Sequence, residues 1–144
     1  MKIEIHEGFP ETEVIINCPR EDESIRRITA LLQGADEKLS GLKDGALHVI
    51  DPQDVYYFDT VDKRYFIYTE HEVYETHLKL YELERLLPDA LFFRSSKSQV
   101  INIAKIASLW PDIASRLEVV MKNEERVIVS RRYARALKER LGLK

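Results

Sequence analysis

DVYYFDTVDKRYFIYTE, Asp54 to Glu70, decides the class of fold. Two runs rich in aromatic and β-branched residues flank a polar turn around Thr60–Lys63. That composition suits a pleated, half-buried surface, so a β-hairpin is predicted here.

Outward from this hairpin the text stays mainly β. Upstream, KLSGLKDGALHVI (Lys38–Ile50) carries two glycines at expected turn positions. Downstream, HEVYETHLK (His71–Lys79) continues with a short strand. THLKLYELERLLPD (Thr76–Asp89) then reads as a helix: Thr76 as N-cap, Leu80, Leu83 and Leu87 on one face, Pro88 as stop. RLEVVMK and RVIVS form a second strand pair around the turn Asn123–Glu125. Ser130 is placed to cap a last helix, with Leu137 and Leu141 inward and Gly142 closing it. The first 45 residues read as a small α+β lobe. It has two strands, Lys2–Gly8 and Glu11–Pro19, and a helix after Arg20 with Ile25, Ile28, Leu31 and Leu32 at helical spacing and Gly34 at its end. No strand–helix–strand alternation points to a doubly wound sheet. The expectation is a mainly β architecture with short helices. A β-β-α lobe over 1–45, a candidate dimerisation or regulatory element, precedes a main domain over 46–144.

Composition bounds function. The chain has 144 residues, 44% hydrophobic and 33% charged. It has no apolar run near the ~20 residues of a membrane span, and its start lacks the apolar region of a signal peptide. A cytoplasmic protein is the expectation. Cys18 is the single cysteine, so no internal disulfide framework is expected, and a core position is the commoner setting for such a thiol. The four histidines lie apart, and no Gly-rich phosphate loop or metal-ligand spacing occurs. No nucleophile, base and orienting group can be assembled. No enzymatic role, cofactor or small-molecule substrate is therefore read from the sequence.

The net charge of −3 conceals an asymmetry. Residues 1–93 hold 10 basic against 20 acidic side chains, and residues 94–144 hold 12 against 5. The polarity changes within FFRSSKSQVIN, Phe92–Asn102, which has six consecutive polar residues and no acid. A localised basic face favours a polyanionic partner. Arg94, Ser96, Lys97, Ser98 and Asn102 supply phosphate donors and side chains able to reach base edges. Arg116 follows the PDIAS loop, and Arg131 and Arg132 open the last helix, whose free N–H groups suit phosphate. Arg94 is equally consistent with a carboxylate pair, Asn102 with a turn former, and Ser95 and Ser98 with satisfying local backbone.

The order and spacing of these pieces resemble the LytTR family of bacterial DNA-binding domains. The strongest part is F-x-R-x-x-x-S-x-x-[VI]-N-x-x-x-I from Phe92, followed about 25 residues later by Val-Ser-Arg-Arg. The resemblance implies an elongated stack of small antiparallel sheets with short helices. It also implies loops that enter successive major grooves of double-stranded DNA, and binding of repeated sites as a homodimer. Its contact loops match Arg94–Asn102, the segment before Arg116, and Arg131–Arg132. Many members carry His where Ser96 stands and Tyr where Gln99 stands, and Asn-Gly where Ala114-Ser115 stands, which leaves Lys97 as the favoured base reader. The short leader in place of a receiver domain implies the stand-alone type, some of which are controlled by a membrane protein. Two competing classes are a protein-interaction module and a single-stranded RNA binder using Tyr56, Tyr57, Phe66 and Tyr68 as stacking platforms.

Overall fold

The computed structural model describes residues 1–33, 37–89 and 91–143. Ten strands, three short α-helices and two single-turn 3-10 helices form its regular elements, and every strand pair is antiparallel. Strands β1 (Leu39–Lys43), β2 (Ala46–Ile50), β3 (Tyr57–Val61), β4 (Arg64–Tyr68), β5 (Val73–Thr76), β6 (Phe92–Ser96) and β7 (Gln99–Asn102) make one sheet. Its order is β2-β1-β5-β4-β3-β7-β6. Strands β8 (Ile106–Pro111), β9 (Leu117–Met121) and β10 (Arg126–Val129) make a second, in the order β10-β9-β8. The helices are α1 (Glu23–Gln33), α2 (Leu80–Leu86) and α3 (Arg131–Arg140).

The predicted hairpin is β3–β4. Asp62 and Lys63 both have positive φ, 50° and 63°, the turn whose twist matches the flanking strands. Its near-continuous apolar run has a tertiary cause: the central strands of the large sheet are covered on both faces. On one face Phe58, Ile67, Phe92 and Val100 meet Leu80, Leu83 and Leu87 from α2 and its C-cap, and Ala30 of α1. On the other, Tyr57, Phe93 and Ile101 meet Leu117, Val119 and Val129 of the second sheet and Leu137 of α3. Consecutive residues such as Phe92 and Phe93 therefore enter different cores.

The helical readings at α2 and α3 are borne out at their apolar stripes. Leu80, Leu83 and Leu87 are buried, and so are Ala134 and Leu137. At the end of α3, Gly142 has φ +70°, and its N–H donates to the Glu139 carbonyl while that of Leu143 donates to Lys138. Thr76 is not the N-cap of α2. It ends β5, its Oγ1 accepts from the Leu78 N–H, and Lys79 occupies the cap position.

The N-terminal lobe departs from its expected form. Residues 1–22 contain no strand, and residues 1–20 are all exposed. A strand needs a hydrogen-bonded neighbour and a face to bury, and here alternation in sequence finds neither within the chain. Cys18 is exposed with the rest of this segment. Helix α1 does form, but only Ala30 is buried; Gly34, expected to close it, lies outside the described residues. The boundary at 45/46 falls inside the β1–β2 hairpin, whose turn is Asp44-Gly45. Gly41 is a strand residue, not a turn residue. A Cβ there would stand 2.4 Å from the Tyr74 Cβ, so only glycine lets β1 approach Tyr74 this closely.

Candidate nucleic-acid interface

The stretch Arg94–Asn102 is a tight hairpin, β6–β7, with Ser96 opposite Gln99 and Lys97-Ser98 at the tip. A register shift between Arg94 and Ser96 marks a bulge at Ser95, which bends the strand and re-aims the tip. Arg94 braces it. Its Nε donates to the Ser96 carbonyl (2.8 Å), its Nη2 to the Lys97 carbonyl (2.5 Å), and its Nη1 pairs with Glu84 of α2. The Ser98 N–H donates to Ser96 Oγ (3.2 Å), and the Thr60 N–H to the Ser98 carbonyl (2.9 Å). With its neighbours so engaged, Lys97 is left exposed at the tip.

Asn102 does not face outward. It is 1% exposed; its Nδ2 donates to the Val55 carbonyl (2.8 Å) and its Oδ1 accepts from the Ala104 N–H (3.0 Å). An adenine contact is therefore closed to it, and its role is to lock the end of β7 to the chain entering β3. Arg94 thus makes the carboxylate pair, and Asn102 the turn-forming bonds, that the sequence left open as alternatives.

Two sequence-distant segments come together at this hairpin. The Ser130 N–H donates to the Ser95 carbonyl (3.1 Å), which seats the start of α3 against the bulge. Leu117 pairs with Val129, which puts Arg116 at the same end of the β9–β10 ladder as Ser130. Arg131 and Arg132 are exposed on the first turn of α3. The Ser130 carbonyl accepts from the Tyr133 and Ala134 N–H groups, while its side chain makes no cap bond. The expected hydroxyl cap is absent, and among the described residues the Arg131 and Arg132 N–H groups of the first turn have no such acceptor.

Asp112 builds the β8–β9 loop. Its Oδ1 accepts from the Ala114 N–H (2.8 Å), its Oδ2 from Arg116 (3.0 Å), and its own N–H donates to the Arg116 carbonyl (2.9 Å). The Ala114 N–H, joined by the Arg116 charge, holds its carboxyl below the usual aspartate range. Ser115 turns the chain with φ +62°. Ile113 at the tip is fully exposed, and Trp110 at the loop base is 57% exposed. Sequence reasoning passed over both. The available signal was an isoleucine inside a polar turn, Pro-Asp-Ile-Ala-Ser, with no strand or helix to bury it.

The electrostatics follow from which cations are neutralised. Arg94 is paired with Glu84 and Arg116 with Asp112. Among the described residues, no carboxylate pairs with Lys97, Arg131 or Arg132. At the far end of the β9–β10 hairpin the Tyr57 hydroxyl donates to Glu125 (2.6 Å), and the Asn123 side chain donates to the Glu70 backbone carbonyl. Burial first, then the Glu125 carboxylate, pushes the Tyr57 phenol well above its usual range. The proposed stacking rings are largely spent. Tyr56 and Tyr57 are buried, Tyr68 stacks on Tyr57 at 4.2 Å, and Arg64 covers Phe66.

Comparison with known proteins agrees with this geometry. The family model described as LytTr DNA-binding domain matches residues 45–142. Over 147 aligned residues, 99% of each chain, the protein is 30% identical to an uncharacterised HTH-type transcriptional regulator of Staphylococcus aureus strain NCTC 8325 / PS 47. It is 29% identical over the same share to a counterpart from strain MRSA252. A solved LytTr DNA-binding domain from Bacillus cereus superposes with a TM-score of 0.71 at 28% identity, covering 75% of this chain and 99% of that one. Among the described residues no two helices are consecutive in the chain, so the fold holds no helix–turn–helix.

Proposed function

The chain belongs to the LytTR family of DNA-binding domains, and from that premise we propose that it is a transcriptional regulator that reads double-stranded DNA through loops. The observation that carries the reading is the convergence of the β6–β7 tip, the β8–β9 loop and the start of α3 on one end of the molecule. Lys97, Arg131 and Arg132 are the cations free to meet phosphates or guanine edges there. Ser96, Ser98 and Arg116 contribute shorter-range donors. Ile113 offers an apolar contact suited to a thymine methyl group. Arg94 and Asn102 hold the hairpin in shape and act through it. A major groove admits such loops, and the regulator works as a homodimer on repeated sites. Control by a membrane protein belongs to the same reading, and co-purification from detergent extracts tests it.

The test is selection of bound duplexes from a random pool at two salt concentrations. An enriched motif in two spaced copies is expected. Weak binding that vanishes at the higher salt, with no enrichment, overturns sequence-specific reading and leaves only phosphate attraction.

A further inference from the structure

We infer that the N-terminal segment Thr12–Cys18 is a strand donated to a second copy of this chain, where it pairs with the open edge of β2. The inference rests on the dimeric reading above and supplies its interface.

Two incomplete elements carry it. The first is the segment itself. Val14, Ile15 and Ile16 alternate in a β-branched run, yet they are 60%, 71% and 37% exposed. The second is β2, Ala46–Ile50, the last strand of the large sheet. Edge strands are normally guarded by lysine, proline, a bulge or a cover. Strand β2 has the sequence ALHVI and is paired with β1 in unbroken register. Among the described residues it has no such guard, and its Leu47 and Val49 are 75% and 78% exposed. The opposite edge of the same sheet, β6, is closed by the Ser130 bond to Ser95.

The faces match. Leu42 lies opposite Leu47, so Leu42, Leu47 and Val49 share one uncovered face of β1–β2. A strand added beside β2 would extend that row with Val14 and Ile16. Each chain carries both an unpaired strand and an unpaired edge, so two copies complete each other by a two-fold exchange that closes on itself. Full burial of one aliphatic side chain removes roughly 60–120 Å². The six named from each copy are 37% to 78% exposed, so their side chains bury roughly 400–900 Å² together, and the backbone of the two added strands brings the interface toward the size of a specific one.

The experiment uses the full chain. Sedimentation equilibrium is run on the wild type, Ile15→Asp and Val49→Lys, with circular dichroism for folding and half-site DNA binding in parallel. The expected result is a wild-type dimer, at least tenfold weaker in each variant, with fold and half-site affinity unchanged. Because Cys18 is the single cysteine, a nitroxide attached there gives a second readout that needs no destabilising variant. In a mixture of spin-labelled and isotope-labelled chains, the amides of Ala46–Ile50 should broaden. A dimer that persists in both variants, or no intermolecular broadening, overturns the exchange and leaves DNA recognition standing. A wild type that is monomeric yet binds DNA overturns both the exchange and the dimeric reading. Broadening only within one chain means the segment covers its own edge, and overturns the exchange as well.

Discussion

The hairpins β1–β2 and β6–β7 are built alike and finished differently. Each joins two short strands through a two-residue tip. In β6–β7 the polar tip is held by Arg94, the outer edge is closed by Ser130, and the base is locked by Asn102. In β1–β2 the outer edge is bare and the exposed residues are apolar. The two finishes suit the two partners proposed for them. A rigid, cationic tip loses little entropy on meeting a phosphate backbone. A bare apolar edge gains by pairing with another strand.

The comparison can be broken most sharply at Asn102. Asn102→Ala strands the buried Val55 carbonyl and removes the acceptor of the Ala104 N–H, and should cost about 2–4 kcal/mol in urea unfolding. DNA binding should fall with it through loss of hairpin shape. The matching lesion in β1–β2 is Gly41→Ala. Its Cβ meets the Tyr74 Cβ at 2.4 Å and Ile50 Cδ1 at 2.7 Å, and a loss of about 1–3 kcal/mol is expected by the same assay. Half-site DNA affinity of the folded fraction should be unchanged, because that hairpin carries none of the proposed DNA contacts.

Lys97→Ala and Arg132→Ala sharpen the contrast in the other direction. Stability should be nearly untouched, while operator affinity drops by about 1–3 kcal/mol if the residue reads a base. A phosphate contact would instead weaken all duplexes alike and reduce the salt slope by about 1. Normal binding by both variants would remove the basic end from the DNA interface. At the β1–β2 turn, Gly45→Ala forces φ +79° on a side chain and should cost about 1 kcal/mol in thermal unfolding.

Acid titration gives the smallest effect. Glu75, hydrogen-bonded by Arg64, and Asp112, hydrogen-bonded by the Ala114 N–H, are both held below their usual ranges. A depressed carboxylate stabilises the fold above its unfolded value, about 4, and that contribution is lost as pH falls through the folded value. Asp59, raised by burial, opposes this. The melting temperature should dip slightly below about pH 4, and Glu75→Gln should flatten the dip.

Local pattern settled a good deal by itself. Aromatic and β-branched density placed β3 and β4, leucine spacing placed α2, and Gly142 marked the end of α3. These are short-range effects, written in neighbouring residues. The run from Phe92 to Asn102 was also legible as the motif of a DNA-binding family, and the family match bears this out. Its internal division of labour was not. Nothing in the one-dimensional text separates an asparagine that faces a base from one that bonds Val55, 47 residues away.

Tertiary structure decided the rest because strands and charges are completed by distant partners. Lys2–Gly8 and Glu11–Pro19 have the period of strands, yet period alone supplies no edge to pair with, and none forms in the single chain. Arg94 and Arg116 look as free as Lys97 in the sequence; folding gives each a carboxylate and, among the described residues, gives none to Lys97, Arg131 or Arg132. The sequence by itself determined which residues are basic, which segments extend and which family they match. Only the folded chain determined which of those charges face outward together, because that depends on the register of β9 against β10 and on one hydrogen bond from Ser130 to Ser95.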